Sequence, residues 1–510
     1  MENKDKKIMG TLQALSDTID INEPSIAMIL AAGHGKRIKS ETSKMIHKIW
    51  GVPTVLRVST AAHQGLGADN QIIVVGVKAP EVAEACGRSK NRIFEYQAEQ
   101  NGTGHAVRIG LRTLENIDYT GTVFVFPGDV GLLNAETVRS FKEAFQSVEC
   151  DMMVLTSLFK GDSADNYYGR IIRVPAQDVA GKPAGDDEGK VIEIKEHKDI
   201  LEIQENEPYV TAYNNKKYAF TREELIELRE FNSGIYAFRA PRLKEYVTRL
   251  QQDNVQGELY ITDLIAIYNR AGLSVRAHAT FDENAVLGFN VKSVLKQMES
   301  IARADAYEKL KDTISIADKD DFFIADEVIE HILEMDRKEG PLDIEIGKGA
   351  SIGSNVRFSK KVAIHSRVQI FGNVTLGENV HIMEDVELST YDDQTMSIGK
   401  GTEILKGNFI KGNLTTGENC RIESSVNMTG ADDAPVRIGN NVLIKGTSYI
   451  YGCIIEDDIW IEHSVLKNKL IERTVRNDGT VQGIRWVLPQ PQGMDSIFDV
   501  PSVKNSRNAQ

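Results

Sequence analysis

The chain has 510 residues, 41% of them hydrophobic, so two or three domains with real cores are expected and wholesale disorder is disfavoured. Its net charge of -14 argues against nucleic acid and anionic membrane surfaces as partners, and it has no apolar run long enough for membrane insertion. Its four cysteines form no close pairs, which fits a reduced, cytoplasmic protein without disulfides or a zinc site.

A polar leader over residues 1–23, to which no function is assigned, precedes the first predicted strand, Ile26–Leu30. The small residues Ala31–Gly35 follow, and then the cations Lys36, Arg37, Lys39 and Lys44. A glycine turn after a strand, followed by cations, can hold a polyphosphate through backbone N–H groups and positive side chains. The alternative is an ordinary strand–turn–helix corner with solvated lysines, because the turn carries neither a Walker A ending nor a dinucleotide fingerprint.

Short apolar strands and helical stretches alternate over the next hundred residues. The predicted strands are Ile72–Val77, Phe94–Tyr96 and Val123–Phe126, and the predicted helices are Pro80–Cys86 and Gly104–Leu114. This alternation predicts a mostly parallel sheet with helices on both faces. In such folds the ligand lies at the carboxyl ends of the strands, where the Ala31–Gly35 turn is expected.

Polar residues follow two of these strands at the expected ligand edge. Gln97 has an amide that can read a base edge, and Gly102 and Thr103 offer backbone N–H groups beside it. The alternative is a polar loop in which Thr103 is the N-cap of the next helix. Asp129 comes just after the third strand and is a natural Mg²⁺ ligand, although such a residue is more often a cap or turn residue.

Eight ordered segments resemble the N-terminal half of bacterial N-acetylglucosamine-1-phosphate uridylyltransferases. Three are LAAGHGKRIKSETSK, ending at Lys44, YQAEQNGTGHA, ending at Ala106, and FPGDVGLL, ending at Leu133. The others are YGRIIR (168–173), IKEHKD (194–199), FNSGI (231–235), NVQGELYITD (254–263) and GFN (288–290). The order and number of these segments make a chance match very improbable.

This resemblance implies a Rossmann-like mixed sheet over residues 24–295 and a Mg²⁺-dependent reaction in which UTP and N-acetylglucosamine 1-phosphate yield UDP-N-acetylglucosamine and pyrophosphate. It implies Arg37 and Lys44 as catalytic cations, and Leu30, Ala31, Ala32, Gly33, Gln97, Gly102 and Thr103 as nucleotide-binding residues. It implies Gly169, Glu196 and Asn232 as sugar-binding residues, and Asp129 and Asn290 as metal ligands. The attacking phosphate oxygen is already ionised, so no general base is required.

Some positions depart from that family's pattern. Ser43 replaces the usual proline, Lys36 a threonine and Gly131 a proline, which is expected to loosen the phosphate loop or to alter the accepted substrate. Two insertions, residues 175–189 and 205–229, follow sugar-side segments. The first reads as a surface loop, and the second is expected to carry a helix after Thr221.

A six-residue repeat dominates the second half of the chain. After a helical linker arm at 296–340, apolar residues recur at Ile346, Ile352, Phe358, Ile364, Ile370, Leu376, Ile382 and Leu388. This period indicates a left-handed parallel β-helix of hexapeptide repeats over residues 341–470. The repeat breaks near residues 391–393 and 431–435, which predicts loops on one edge of the coil, and an irregular tail spans 471–510.

Such coils in sugar enzymes usually assemble as trimers, so a homotrimer is expected. The resembled family also uses its coil for acetyl transfer, but its GHLxYxGD and NYDG segments are missing here. His365, His381 and His463 lie in the repeat without those neighbours, so acetyltransferase activity is expected to be absent.

Two other functions remain open. The same fold could use a different nucleoside triphosphate or sugar phosphate, or the chain could be a non-catalytic regulatory or scaffold subunit that binds a sugar nucleotide. The presence of Arg37, Lys44, Asp129 and Asn290 argues against the subunit, because a silent pocket need not keep its metal ligands.

Overall fold

The computed structural model describes residues 2–33 and 35–489, and the chain divides into two compact units between Ala302 and Arg303. The strands of the first unit are β1 (Ser25–Ala31), β2 (Lys48–Ile49), β3 (Val52–Pro53), β4 (Gln71–Val75), β5 (Arg92–Tyr96), β6 (Thr122–Pro127), β7 (Met152–Leu158), β8 (Arg170–Arg173), β9 (Val191–Lys195), β10 (Tyr209–Tyr213), β11 (Lys216–Phe220), β12 (Glu230–Arg239) and β13 (Val275–Ala279).

Its α-helices are α1 (Glu2–Leu15), α2 (Thr54–Leu66), α3 (Ala79–Cys86), α4 (Thr103–Leu111), α5 (Ala135–Ser147), α6 (His197–Leu201), α7 (Arg222–Glu227), α8 (Ala240–Tyr246) and α9 (Asp263–Arg270). Short 3₁₀ helices occupy Lys36–Ile38, Lys44–Ile46, Arg112–Leu114, Ser163–Asp165, Gly185–Asp187, Val247–Arg249 and Asn284–Val286. Helix α10 (Lys292–Leu310) runs across the division between the units, and α11 (Asp326–Glu339) follows it.

The first unit is built on a nine-stranded sheet, which confirms the mixed sheet that the family resemblance implies. The strand order is β13-β7-β12-β6-β1-β4-β5, with β8 paired to β12 and β9 paired to β8. Strands β6, β1, β4 and β5 are parallel, whereas β12 runs antiparallel to both β6 and β7. The ends of the parallel strands therefore share one edge, which is the edge at which an open α/β sheet binds its ligand.

Both faces of this sheet are buried. In β1 the side chains of Ala27 and Ile29 join one apolar cluster, and those of Ile26 and Met28 join the other. Successive side chains of a strand point to opposite faces, so a strand buried on both faces is apolar throughout. This arrangement explains the continuous apolar run that the sequence shows at Ile26–Leu30.

The segment predicted to be a polar leader contains α1, which packs on the sheet edge. Ile8 and Leu12 of α1 are buried in one of the two apolar clusters. Just after the helix, the Asp17 N–H donates to Arg92 O (2.7 Å), and Ser16 Oγ accepts from the Phe94 N–H (3.0 Å). The leader thus covers β5, the last strand of the sheet.

The second insertion folds into a small satellite of the sheet. It supplies the hairpin β10–β11 and the predicted helix, α7, which begins after Thr221 in a reciprocal capping box with Glu224. Tyr218 and Leu225 from this insertion are buried together with residues of β8 and β9. A bidentate ion pair links β8 to β12, with Arg173 Nε 2.6 Å from Glu230 Oε2 and Arg173 Nη2 2.7 Å from Glu230 Oε1.

The second unit is a three-sided coil of parallel strands, which confirms the predicted fold class and fits a left-handed β-helix. Coil sheet 1 comprises Ser315–Ile316, Glu345–Ile346, Ala363–Ile364, His381–Ile382, Glu403–Ile404, Arg421–Ile422, Leu443–Lys445, Trp460–Glu462 and Ile484–Arg485. Coil sheet 2 comprises Phe323–Ile324, Ser351–Ile352, Gln369–Phe371, Glu387–Ser389, Phe409–Gly412, Asn427–Gly430, Tyr449–Tyr451 and Val465–Lys467. Coil sheet 3 comprises Arg357–Phe358, Val374–Leu376, Met396–Ile398, Leu414–Thr416, Val436–Ile438, Ile454–Ile455 and Leu470–Ile471.

The coil is longer than the sequence predicts. Ser315–Ile316 and Phe323–Ile324 pair with the next turn of the coil, so the interpretation of residues 296–340 as a purely helical linker is wrong. Ile484–Arg485 extends coil sheet 1 into the predicted tail. The six-residue pattern does not reveal these strands because they lie outside the run of hexads. The first two precede α11, and the third follows a break in the repeat. The part of the predicted tail from residue 490 onward lies outside the described residues.

Candidate active site

The turn after β1 brings the backbone close to the ligand edge. Ala31 and Ala32 are buried, and the Gly128 N–H donates to Leu30 O at 3.0 Å, which joins the turn to the segment after β6. Gly33 and Arg37 are exposed beside them, and His34 lies outside the described residues. The turn therefore exposes Gly33 and Arg37 to solvent, while Ala31 and Ala32 next to them are buried.

Gly35 is required by the packing of Lys44 against the turn. Gly35 has a φ of 59°, and a Cβ at this position would lie 2.8 Å from Lys44 Cβ. Only glycine takes such a φ without steric cost and leaves this space. The turn and the lysine segment are thus fixed against each other, although Gly35 and Lys44 have eight residues between them in the chain.

Lys44, Asp129 and Asn290 meet at one point. Lys44 Nζ makes a short hydrogen bond to Asp129 Oδ2 and a second hydrogen bond, of 2.8 Å, to Asn290 Oδ1. The same ammonium lies 5.3 Å from the centre of the Phe289 ring, and the Lys44 side chain is only 7% exposed. The two predicted metal ligands are therefore brought together, with a predicted catalytic cation between them.

The departures from the family's pattern around this point are accommodated locally. Ser43 has a φ of -56°, close to the value that a proline ring would impose, and its side chain accepts a hydrogen bond from the Met45 N–H. Gly131 is packed tightly, since a Cβ there would lie 2.5 Å from Thr54 Cγ2 and 2.7 Å from Ile49 Cδ1. The backbone at Ser43 therefore has a φ that a proline would also have.

The predicted base-reading residues lie after β5 and at the start of α4. Gln97 is buried, and its Nε2 lies 3.0 Å from His105 Nδ1 and 3.4 Å from Gly102 O. Gly102 has a φ of 100° and is the N-cap of α4, so the alternative interpretation of Thr103 as the N-cap is wrong. The Thr103 hydroxyl instead accepts a hydrogen bond from the Ile261 N–H at 3.1 Å.

The three predicted sugar-binding residues are neighbours. The Asn232 N–H donates to Gly169 O at 2.9 Å, and a Cβ on Gly169 would lie 3.3 Å from the Glu196 carboxyl carbon. The pairing of β12 with β7 shifts register between Asn232 and Tyr236, and Asn232 Oδ1 accepts from the Tyr236 hydroxyl at 2.9 Å. Such an irregularity re-aims a side chain, here at the edge where the ligand is expected.

An acidic cavity of about 290 Å³ adjoins Glu196. Burial, with the nearby carboxylates of Asp199 and Asp263, raises the pKa of Glu196 to about 7. Burial also raises the pKa of Asp263 to about 6, with Asp199 adding to the effect and Lys195 opposing it. Glu196 therefore stands near its ionisation point at neutral pH, poised to accept or to donate a hydrogen bond.

Sequence reasoning missed three contributors to the site. Phe289 supplies the ring beside Lys44, Tyr236 holds Asn232, and Asp263 perturbs Glu196. Phe289 and Asp263 belong to segments that carried the family resemblance, so their position in GFN and YITD was the available signal. Tyr236 had none, because its role depends on the irregular pairing of β12.

No group of three or more histidine, cysteine, aspartate or glutamate side chains is placed to hold a metal ion within the part of the chain that the structure describes. The same described residues include no helix with the length and apolar character that crossing a bilayer requires.

Residues 27–185 match the family model of the MobA-like NTP transferase domain. Curated relatives named bifunctional protein GlmU match about half of the chain: that of Corynebacterium aurimucosum is 36% identical over 269 residues, 52% of this chain and 47% of its own length. The relative from Geobacter metallireducens is 35% identical over 293 residues, 57% of this chain and 53% of its own. The chain thus spans about half the length of the curated relatives it matches.

Among solved structures, a CMP:2-keto-3-deoxy-manno-octonic acid synthetase complexed with CTP aligns with 56% of this chain and 100% of its own, at a TM-score of 0.36 and 13% identity. At that TM-score the likeness says nothing about function. The family model and the curated relatives point the same way: residues 27–185 are similar to a MobA-like NTP transferase domain, and about half of the chain is similar to the bifunctional GlmU proteins.

Proposed function

We propose that this protein is a Mg²⁺-dependent sugar-1-phosphate nucleotidyltransferase that forms UDP-N-acetylglucosamine and pyrophosphate from UTP and N-acetylglucosamine 1-phosphate. The observation that carries the proposal is the meeting of Lys44 with Asp129 and Asn290 at the carboxyl edge of the sheet. Buried cations and oxygen ligands are the groups that phosphoryl chemistry needs. The similarity to curated GlmU proteins, over about half their length, supports the coarser assignment of a sugar-1-phosphate nucleotidyltransferase.

In this proposal an ionised phosphate oxygen of the sugar 1-phosphate attacks the α-phosphorus of the nucleotide in line, and the bond to pyrophosphate breaks. Charge is spread over phosphate oxygens, so positioning and electrostatics supply the catalysis. Arg37 lies exposed at the turn and can bind the triphosphate through its planar fork. The backbone of Ala31–Gly33 lies beside it and can approach the phosphates closely because the side chains are small.

The oxygens of Asp129 and Asn290 fit a divalent cation. They are a carboxylate and an amide oxygen that already converge on one positive charge, the Lys44 ammonium. Mg²⁺ prefers oxygen ligands and keeps several positions for water and phosphate, so two protein ligands suffice. When bound there, Mg²⁺ would supply neutralisation of the phosphate charge.

The sugar is assigned to the group formed by Gly169, Glu196 and Asn232, whose mutual contacts support a single subsite. A different sugar 1-phosphate is the second candidate substrate. It is favoured by the satellite formed by the second insertion, which packs on β8 and β9, the strands next to Gly169 and Glu196.

The proposal is tested by pyrophosphate release with Mg²⁺, using four nucleoside triphosphates against several hexose and hexosamine 1-phosphates. Turnover confined to UTP with N-acetylglucosamine 1-phosphate is the expected result. Turnover with another pair would retain the mechanism and change the substrate. If no pair of substrates gives turnover while nucleotide binding is retained, the protein would be assigned as a regulatory subunit and not as an enzyme.

We further propose that the coil serves assembly as a homotrimer and carries no acetyltransferase activity. Exposed aromatic side chains on coil sheet 2, namely Phe371, Phe409 and Tyr449, support a partner surface there. The missing acetyltransferase segments support the second half of the proposal. The four cysteines, all buried and unpaired, support the cytoplasm as the location.

A further inference from the structure

The position of Lys44 raises a question about order of binding. Its Nζ lies between Asp129 Oδ2 and Asn290 Oδ1, the two oxygens assigned to the metal. We call this pair of oxygens the two-oxygen seat. A divalent cation in the seat would stand about 2.0–2.1 Å from each oxygen, whereas the ammonium bonds Asn290 Oδ1 at 2.8 Å. The two cations would therefore fall within contact of each other.

Two positive charges at such a separation repel strongly in a partly buried site. The Lys44 side chain is 7% exposed and that of Asp129 is 19% exposed, so solvent screens the pair poorly. A metal ion in the seat and the Lys44 ammonium in its present position are therefore mutually exclusive.

The backbone of Lys44 is held in place, which leaves the side chain as the moving part. Residues 44–46 form a 3₁₀ turn in which the Ile46 N–H donates to Ser43 O at 3.1 Å, and Gly35 packs directly against Lys44 Cβ. The four-carbon stem of lysine can still carry its ammonium away from the seat through its outer torsions.

A destination for the ammonium lies next to the seat. The Gly35 turn packs against the Lys44 stem, and this turn is the part of the site assigned to the phosphates. A triphosphate there would offer oxygens with more negative charge than one carboxylate, so it can draw the ammonium out of the seat.

We propose that Lys44 is a positioning residue that closes the two-oxygen seat to divalent cations until a polyphosphate withdraws its ammonium. The inference rests on the proposed function for the identity of the seat. It predicts that free metal binds the protein weakly and that metal and triphosphate strengthen each other's binding. By linkage, the strengthening is equal in both directions. The device would keep the carboxylate of Asp129 paired and oriented between turnovers.

The test measures Mn²⁺ binding to the full chain without nucleotide, from the electron paramagnetic resonance signal of free Mn²⁺. Lys44→Met removes the ammonium and keeps most of the stem, so it should lower the Kd for Mn²⁺ at least ~10-fold relative to the unsubstituted protein, which corresponds to at least ~1.4 kcal/mol. Adding Asp129→Asn to Lys44→Met should abolish this gain. Lys48→Met removes an exposed lysine four residues away and should leave the Kd unchanged.

A second variant and a second measurement guard against loss of folding. Lys44→Gln removes the charge but keeps a polar end that can donate to Asp129, and it should tighten Mn²⁺ binding in the same direction. Thermal unfolding shows whether each variant folds, and added Mn²⁺ should raise the Tm of Lys44→Met by more than that of the unsubstituted protein.

Equal Kd values for the unsubstituted protein and both Lys44 variants would overturn the inference, because the ammonium would then not compete with the metal. If the folded Lys44→Met and Lys44→Gln single variants both fail to bind Mn²⁺, the inference is overturned as well, because the two oxygens would not be a metal seat. No substrate is used, so the outcome is independent of the pyrophosphate assay. Turnover without a change in Mn²⁺ affinity would keep the function and remove this inference.

Discussion

Single residues decide the chemistry of this site, and a substitution of Asp129 tests the metal assignment most directly. Because its carboxylate is assigned to the metal, Asp129→Asn should lower kcat/KM for pyrophosphate release by roughly 10²–10³-fold, the size of effect seen when one preorganised electrostatic contact is lost. Asp69→Asn is the matched control, since Asp69 pairs with Lys90 on the surface at 2.7 Å. Full activity of Asp129→Asn would break the metal assignment.

Glu196 gives the site a pH dependence whose sign is defined. Its pKa is raised from 4.5 to about 7, so between these values the folded protein holds a proton that the unfolded chain releases. Stability from this group is therefore lost as pH rises through that window.

The Glu196→Gln variant has no titrating carboxyl group at this position. Its Tm should therefore exceed that of the unsubstituted protein by more at pH 8 than at pH 5. One pKa unit corresponds to about 1.4 kcal/mol, and partial exposure reduces the whole effect to about 1–2 kcal/mol. The measurement is thermal unfolding at both pH values, with the exposed Glu143→Gln as control. A Tm gain of equal size at both pH values would contradict the assignment.

Sequence reasoning reached the residues of the site but not their contacts. Lys44 and Asp129 are 85 residues apart in the chain, and Lys44 and Asn290 are 246 apart. Strand ends predict that Lys44 and Asp129 lie at one edge, because parallel strands end together. The place of Asn290 was implied only by the family resemblance. Which side chain pairs with which depends on rotamers and packing around Gly35 and Phe289, and no local pattern encodes these.

Among the elements, α1 has a role that its polar composition hides. Leu12 is 2% exposed and packs into the apolar cluster beside β5. Leu12→Ala should lower the free energy of unfolding by about 2–4 kcal/mol through lost burial and a residual cavity. Urea unfolding measures the change, and Gln13→Ala on the exposed side of the helix should cost far less. Equal effects of the two substitutions would mean that α1 does not pack on the sheet.

The satellite of the second insertion depends on a reciprocal cap. Thr221 Oγ1 accepts from the Glu224 N–H at 3.1 Å, and Glu224 Oε2 accepts from the Thr221 N–H at 2.7 Å. Thr221→Ala should destabilise α7 by about 1 kcal/mol and speed amide exchange in Arg222–Glu227. A double-mutant cycle with Glu224→Ala should give non-additive costs, whereas strict additivity would show that the two contacts act separately.

The second insertion was predictable where its chemistry is local. Thr221, followed by Glu223 and Glu224, indicated the helix, because the start of a helix is encoded within a few neighbouring residues. The structure adds that Thr221 and Glu224 form a capping box. The first strands of the coil were not predictable in this way. Ile316 and Ile324 are separated by an acidic turn instead of a hexad, and only their pairing with Ile346 and Ile352 makes them part of the coil.

At the scale of the whole molecule, the proposed trimer predicts that a surface of the coil is buried between subunits. Phe409 is 56% exposed on coil sheet 2, so a charge at its position should oppose burial between subunits. Phe409→Lys should shift the mass measured by light scattering from trimer toward monomer. Thr375→Lys places the same charge on coil sheet 3 and should leave the mass unchanged. An unaltered mass in Phe409→Lys would move the interface elsewhere.

The coil's regular pairing also shows where the chain can take extra length. Where no loop intervenes in the regular part of the coil, a strand pairs with the strand 18 residues later, as Ala363 does with His381. Val374 instead pairs with Met396 and Leu414 with Val436, each 22 residues later. The extra residues leave the coil at the same edge, where Gln394 Nε2 meets Asp432 Oδ1 at 2.9 Å. A tag or fluorophore attached at the exposed Tyr391 would therefore leave the pairing register of the coil strands intact. Its signal could then be used to follow the assembly of the coil.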